Sequence, residues 1–207
     1  MTDFDFELSK ELAQKAVDLA EKHGFDEILS YALSSLGLCF WDDQDHALAL
    51  LRRGRDLVVE NGFSGIAPHA FGNYAINFSE HFRHKEYDEG INYCHQNEIS
   101  SGVMLMTAWR LEPLEMMGER DVVWSKSAEL ILSDIKHFSV RFYFPLVRTR
   151  IAMRRGLSEA DELFAHLENM IDHGRDTAIP QSLRNGDRQY VCLVRSCHRW
   201  LSGWRVL

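Results

Sequence analysis

The sequence predicts an all-α protein, arranged as a right-handed solenoid of about five helix hairpins. Apolar residues recur at helical spacing through nearly every segment, and no segment alternates as a half-buried strand does. The 207 residues include only 13 glycines and four prolines, too few for the frequent turns of a β-sandwich or barrel. With 45% hydrophobic and 26% charged residues, the chain has the composition of a folded globular protein rather than a disordered one.

The predicted helices follow one another with short breaks. The first carries Leu8, Leu12 and Leu19 on one face and ends at the basic turn 22–24, whose glycine suits a C-cap. The second spans about 26–41, and acidic residues at 42–45 then cap a third helix that ends near Asn61. The remaining predicted helices cover about 67–82, 87–100, 103–117, 121–136, 139–155, 159–173 and 187–202.

Prolines and glycines set several of these boundaries. Pro68 and Pro145 are predicted in the first turns of helices, where a missing amide hydrogen costs nothing. Pro113 lies inside a predicted helix and is expected to kink or shorten it. Gly62 and Gly102 are each predicted to end a helix in the left-handed conformation.

A repeat of 38 residues organises the helices into pairs. Four residues at this spacing occupy similar places in alternate predicted helices: Ala32, Ala70, Ala108 and Leu146. A period of this length made from two helices indicates a solenoid in which each hairpin buries its apolar face on the next. We therefore expect one domain over 1–207. The predicted core includes Leu36, Phe40, Leu51, Phe71, Tyr74, Phe78 and Trp109.

One segment of the repeat carries a family resemblance. Leu33-x2-Leu36-Gly37-x2-Phe40, followed by Ala47-x3-Leu51, resembles the tetratricopeptide pattern of a large residue, Leu-Gly, an aromatic residue and then alanine. Tyr87-Asp88-Glu89-Gly90 is similar to the opening of the second tetratricopeptide helix, with Gly90 in place of the usual alanine. The usual period is about 34 residues, so the resemblance is to a divergent array. It implies that the first helix of each pair lines a concave groove.

A second resemblance concerns the layout of the whole chain. It is carried by Gly118-Glu119-Arg120-Asp121-x2-Trp124, then Arg148-x-Arg150-x3-Arg154-Arg155-Gly156, and finally Arg199-Trp200-Leu201-Ser202-Gly203. These segments are similar to the helical repeats of large LuxR-type regulators and multidomain nucleotide cyclases. In those families the repeats sense a ligand or partner and control other modules, which implies a role in bacterial regulation for this chain.

The tetratricopeptide register predicts a set of residues that line the groove. Together they provide an aromatic ring, hydroxyls, an imidazole and two guanidinium groups. They are Tyr31, Ser34, His69, Thr107, Arg110 and Arg148. Because guanidinium groups pair with carboxylates, the set suits an acidic segment or a peptide carboxylate. The expected function is non-catalytic recognition of a protein or peptide segment. A small-molecule sensor with its ligand in the same groove is the alternative.

A third hypothesis, a metal-dependent helical enzyme, rests on imidazoles and a thiol that suit zinc: His81, His84, Cys94 and His95. These residues meet no established ligand spacing. The acid pairs Glu86/Glu89 and Glu112/Glu115 are expected on solvated faces rather than as catalytic dyads. The sequence therefore predicts no catalytic residue, no metal site and no cofactor.

The net charge and the N-terminal residues predict where the protein is found and which partners it does not attract. The formal net charge of −8 gives no general attraction to nucleic acid or to an anionic membrane. The acidic start of the chain lacks the basic residues of a signal peptide, and no apolar run approaches the roughly 20 residues of a membrane span. We expect a cytoplasmic protein whose four cysteines are reduced.

The uneven distribution of charge predicts self-association. Residues 1–137 carry a net charge of −12 and residues 138–207 a net charge of +4, while the predicted helix 187–202 presents Val191, Val194 and Trp200 at the end of the array. A solenoid end without a polar capping helix exposes apolar surface. We expect a two-fold homodimer through this C-terminal helix, with a mass in light scattering that salt does not change. Growth of the particle at low salt would instead support stacking of acidic on basic ends, and a monomer at every concentration would contradict both.

Overall fold

A computed structural model of the chain describes residues 6–40, 42–76, 80–131 and 138–176, and every regular element in these ranges is an α-helix. The all-α prediction is confirmed. In chain order the nine described helices are α1 Phe6–His23, α2 Asp26–Gly37, α3 Gln44–Asn61, α4 Ala67–Ala75, α5 Glu80–Gln96, α6 Ser100–Met116, α7 Arg120–Ile131, α8 Phe138–Arg155 and α9 Ala160–Asp176. None of these helices is both long enough and apolar enough to cross a membrane.

Local signals explain several helix ends. The Asp43 carboxylate accepts a hydrogen bond from the His46 amide at 3.0 Å and so caps the start of α3. The same helix ends at Gly62, which has a φ of 70° and takes the left-handed conformation that glycine adopts without strain. Pro68 lies in the first turn of α4, as predicted.

The prediction that Gly102 ends a helix is wrong. Gly102 lies inside α6, and the turn after α5 instead places Glu98 in the left-handed region, with a φ of 58°. A Cβ added to Gly102 would lie 2.7 Å from both Cys94 Sγ and Pro68 Cγ. A larger residue would not fit at this position, because α4 and α5 approach α6 closely there.

Of the two internal prolines, Pro145 differs from expectation, whereas Pro113 lies inside a helix as predicted. Pro145 lies inside α8 rather than in its first turn, and α6 continues through Pro113 to Met116. A proline removes one backbone hydrogen bond from a helix, but most helical stability comes from tertiary packing. Both prolines are buried among buried neighbours, Leu111 and Leu114 on α6 and Phe144 and Leu146 on α8. Packing of these faces outweighs the lost hydrogen bonds.

The packing of the helices follows the chain order. Each helix from α1 to α6 packs against the next one, and in addition α2 packs against α4 and α4 against α6. The alternate helices α2, α4 and α6 thus lie side by side. The intervening helices α3 and α5 each contact two of them, α3 on α2 and α4, and α5 on α4 and α6.

The 38-residue period marks positions that face the core. Its four members, Ala32, Ala70, Ala108 and Leu146, are all at most 4% exposed. The core prediction is confirmed for five residues: Leu36, Leu51, Phe71, Tyr74 and Trp109. Phe40 is half-buried against the cluster formed by α1 and α2, and Phe78 lies outside the described residues.

The described residues fall into two compact units that divide between Ile151 and Ala152. The first unit contains α1 to α7 and α8 as far as Ile151. The second contains the end of α8, a turn at Gly156 with a φ of 63°, and α9. The expectation of one domain over 1–207 stays a prediction. The predicted helix 187–202 lies outside the described residues, so the dimer through it also stays a prediction.

Truncation of a buried leucine in this core will destabilise the protein strongly. Leu51 is fully buried, and its Cγ lies only 2.7 Å from where a Cβ on Gly37 would be. We expect Leu51→Ala to lower the free energy of unfolding by about 2–5 kcal/mol in urea denaturation, because the lost transfer energy adds to a cavity. The control is Leu19→Ala, at a residue 58% exposed, which will change it by less than about 0.5 kcal/mol. Similar losses in both variants would show that the core is misassigned.

Candidate functional site

An open cleft of about 440 Å³ lies between α3 and α5. Helix α4 contacts both of these helices and contributes one aromatic ring, that of Phe71, to the lining. The remaining lining residues are Arg55, Asp56, Val59 and Glu60 from α3 and Glu89, Asn92, Tyr93 and Gln96 from α5. Carboxylates, amides and aromatic rings thus share one concave surface.

Helical spacing explains why these residues face the same way. On α5 the four lining residues stand at i, i+3, i+4 and i+7, which is one face of an α-helix. On α3, Asp56, Val59 and Glu60 follow the same rule. The ring of Phe71 lies 5.1 Å from that of Tyr93, measured between centroids, in a tilted arrangement. The two rings give the cleft an aromatic wall.

The guanidinium of Arg55, the one basic group among the residues that line the cleft, faces several carboxylates. Its nitrogens lie 3.2 Å from Asp56, 3.5 Å from Glu86 and 3.8 Å from Glu89, each measured to a carboxylate oxygen. The carbon Cζ of Arg55 also lies 4.3 Å from the centroid of the Tyr74 ring, which is a cation–π geometry. Arg55 is therefore held between an aromatic face and an acidic rim.

Burial and the acidic character of the rim both affect the pKa of Glu86. Burial raises the pKa of Glu86, and the neighbouring Glu89 carboxylate raises it further, while Arg55 and Arg52 act in the opposite direction. The cations here thus do not fully offset desolvation and mutual repulsion of the carboxylates. Glu60 makes no ion pair with any other described residue. The cleft has more negative than positive groups.

The groove residues predicted from the tetratricopeptide register lie on other surfaces. None of the six lines the cleft between α3 and α5. Tyr31 is 59% exposed on α2, and His69 is exposed on α4 with its ring 6.3 Å from that of Trp109. Ser34 is 3% exposed, and its hydroxyl lies against Gly54 of α3. The helices α2 and α4 that carry these three residues pack side by side.

The other three groove residues make contacts within the protein. The Thr107 hydroxyl donates to the carbonyl of Val103 at 2.7 Å. Arg110 forms a two-point ion pair with Asp88, with distances of 2.8 and 3.1 Å. Arg148 donates to the Trp124 carbonyl at 2.9 Å and lies 3.8 Å above its ring. Both guanidinium groups are thus engaged by the protein itself, and the role of the set as a ligand groove stays a prediction.

The structure also bears on the residues of the metal-enzyme hypothesis. Cys94 is fully buried, and burial raises the pKa of its thiol to about 11, so that it is protonated at neutral pH. His95 is exposed, His84 is half-buried, and the side chain of His81 lies outside the described residues. In the part of the chain that the structure describes, no three His, Cys, Asp or Glu side chains are grouped so as to hold a metal ion.

The expectation that both acid pairs lie on solvated faces is wrong. The Glu115 side chain is fully buried, and its Oε2 lies 2.8 Å from a guanidinium nitrogen of Arg150, which is 13% exposed. Arg150 also lies 3.5 Å from Glu112. A carboxylate is buried in this way only when it is paired. The signal that sequence reasoning missed is that Glu112 and Arg150 are 38 residues apart, which is one repeat.

Comparisons with known protein families, with curated proteins and with solved structures found no match. The function is therefore argued from the residues and geometry of the described part of the chain.

The ion pair between Glu115 and Arg150 can be tested by removing its members singly and together. We expect Arg150→Met to lower the free energy of unfolding by about 3–5 kcal/mol, because it removes the guanidinium from a fully buried carboxylate. The double variant with Glu115→Met should recover most of this loss, since two apolar side chains replace two charges. Chemical denaturation measures both. Equal losses in the single and double variants would contradict a buried ion pair.

Proposed function

We propose that the protein is a non-catalytic binding module that recognises a protein or peptide segment. The proposal includes its architecture, a divergent tetratricopeptide-like solenoid. The burial of all four residues at the 38-residue spacing supports this architecture, as does the packing of α2 on α4 and of α4 on α6. Alternate helices come into contact in this way when two-helix repeats stack on one another.

The observation that carries the proposal is the open, mixed-polarity cleft between α3 and α5. A volume of about 440 Å³ has room for a few side chains rather than for a folded partner. Asn92 and Gln96 stand one turn apart on its α5 wall, a rise of about 6 Å. Residues on the same side of an extended chain are about 6.6 Å apart. The two amides are therefore spaced to hydrogen-bond alternate peptide groups, two residues apart, of an extended segment.

The resemblance to the repeat regions of LuxR-type regulators and nucleotide cyclases supports a place for this module in bacterial regulation. In such an arrangement the segment bound in the cleft belongs to a regulated partner. The alternative is a small-molecule sensor, since the volume of the cleft also falls within the range of small-ligand sites.

Panning of a random peptide library on the immobilised protein tests this function. We expect enriched peptides, and we expect the bound peptide to slow hydrogen exchange of amides in α3 and α5. The variant Asn92→Ala/Gln96→Ala should weaken binding because it removes the amides that hold the peptide backbone. Gln14→Ala/Asn169→Ala, which removes two amides outside the cleft, is the matched control and should bind as the unmodified protein does.

Two results would contradict the proposed site. Protection of α2, α4 and α6 in place of α3 and α5 would move binding to the groove predicted from the tetratricopeptide register. The absence of any enriched peptide, together with saturable binding of a metabolite, would favour the small-molecule sensor.

A further inference from the structure

We infer that the cleft between α3 and α5 receives the side chain of a lysine or arginine from the bound segment. The inference rests on the proposed function, because it names the anchor residue of the segment that the module binds. It differs from the acidic ligand that the register-based groove suggests.

Charge is the first argument. The lining holds three carboxylates, those of Asp56, Glu60 and Glu89, against the single guanidinium of Arg55. Glu86 adds a fourth carboxylate beside Arg55. A concave surface lined by one sign of charge concentrates counter-ions within it. A basic side chain complements this cleft, whereas an acidic one would be repelled from it.

The exposure of these carboxylates leaves them open to a second cation. Glu89 is 63% exposed and lies 3.8 Å from Arg55, beyond hydrogen-bonding distance. Glu60 forms no ion pair with another described residue. Because Glu60 is on α3 and Glu89 on α5, a cation entering the cleft meets a carboxylate from each wall.

The aromatic wall is the second argument. A lysine or arginine side chain has an apolar stem and a charged tip, so it suits a cleft that has rings as well as carboxylates. The chain itself displays this chemistry, since Arg55 lies over the Tyr74 ring while it contacts acidic side chains. The half-buried ring of Tyr93 offers a similar surface to an incoming cation, while the buried ring of Phe71 packs behind it and already lies 5.9 Å from Arg55 Cζ.

The test compares two random peptide libraries that differ only in that one lacks lysine and arginine. We expect enrichment from the complete library alone, with a basic residue shared by the enriched peptides. In fluorescence anisotropy, replacement of that residue by glutamine should weaken binding about fivefold or more. Neutralisation of the cleft in Glu60→Gln/Glu89→Gln should weaken it about two- to fivefold for each carboxylate. Both losses should shrink as salt is added.

A matched control separates the cleft from net charge. Glu159→Gln/Glu162→Gln removes two exposed carboxylates, one just before α9 and one in its first turn, and should leave the affinity unchanged. Thermal unfolding shows whether each variant is folded. Enrichment from both libraries, with α3 and α5 protected, overturns the inference and leaves the proposed function standing. Equal binding of free arginine and of the basic peptide overturns it in favour of a small cation. If neither library yields an enriched peptide, both the proposed function and this inference are contradicted.

Discussion

The close approach of α2, α4 and α6 is the constraint on which the rest of the first unit depends. Glycines permit it where α4 meets α6: a Cβ on Gly72 of α4 would collide with the Trp109 ring, and one on Gly102 of α6 would lie 2.7 Å from Pro68 Cγ. Helices come this near only where the side chains at the crossing are small. Helices α3 and α5 each pack on two of these three helices. Their positions therefore depend on how closely the three helices approach one another.

The cleft is a consequence of this arrangement. Helix α4 lies between α3 and α5 and contacts both of them. The side chains of α3 and α5 therefore line the space between these two helices without filling it. Phe71 illustrates the point, since it is a core residue of α4 that also lines the cleft, where it meets Tyr93 of α5. The packing that stabilises the repeat thus also builds the aromatic wall. Polar residues can then vary along the rim without disturbing the core.

The sequence predicts most of the helices, because their apolar spacing is local information, but it extends one predicted helix to residue 82, whereas α4 ends at Ala75 and α5 begins at Glu80. It does not predict the end of α5, since Glu98 takes a conformation that glycine normally marks. The face of α5 that lines the cleft can be read from spacing at 89, 92, 93 and 96, but its position opposite α3 depends on tertiary packing. The burial of Glu115 was missed for a similar reason. Its partner Arg150 lies on α8, 35 residues further along the chain, and only the neighbouring pair of Glu112 and Arg150 has the spacing of the repeat.

The ion pair between Glu115 and Arg150 also restricts how α8 packs on α6. Gly72 of α4 lies against the ring of Trp109 on α6, whereas Glu115 of α6 lies against the guanidinium of Arg150 on α8. The first contact depends on shape and the second on opposite charges. A shift of α8 by one helical turn would move the guanidinium away from the Glu115 carboxylate, and separating a buried ion pair is costly. The pair therefore favours a single register between the two helices.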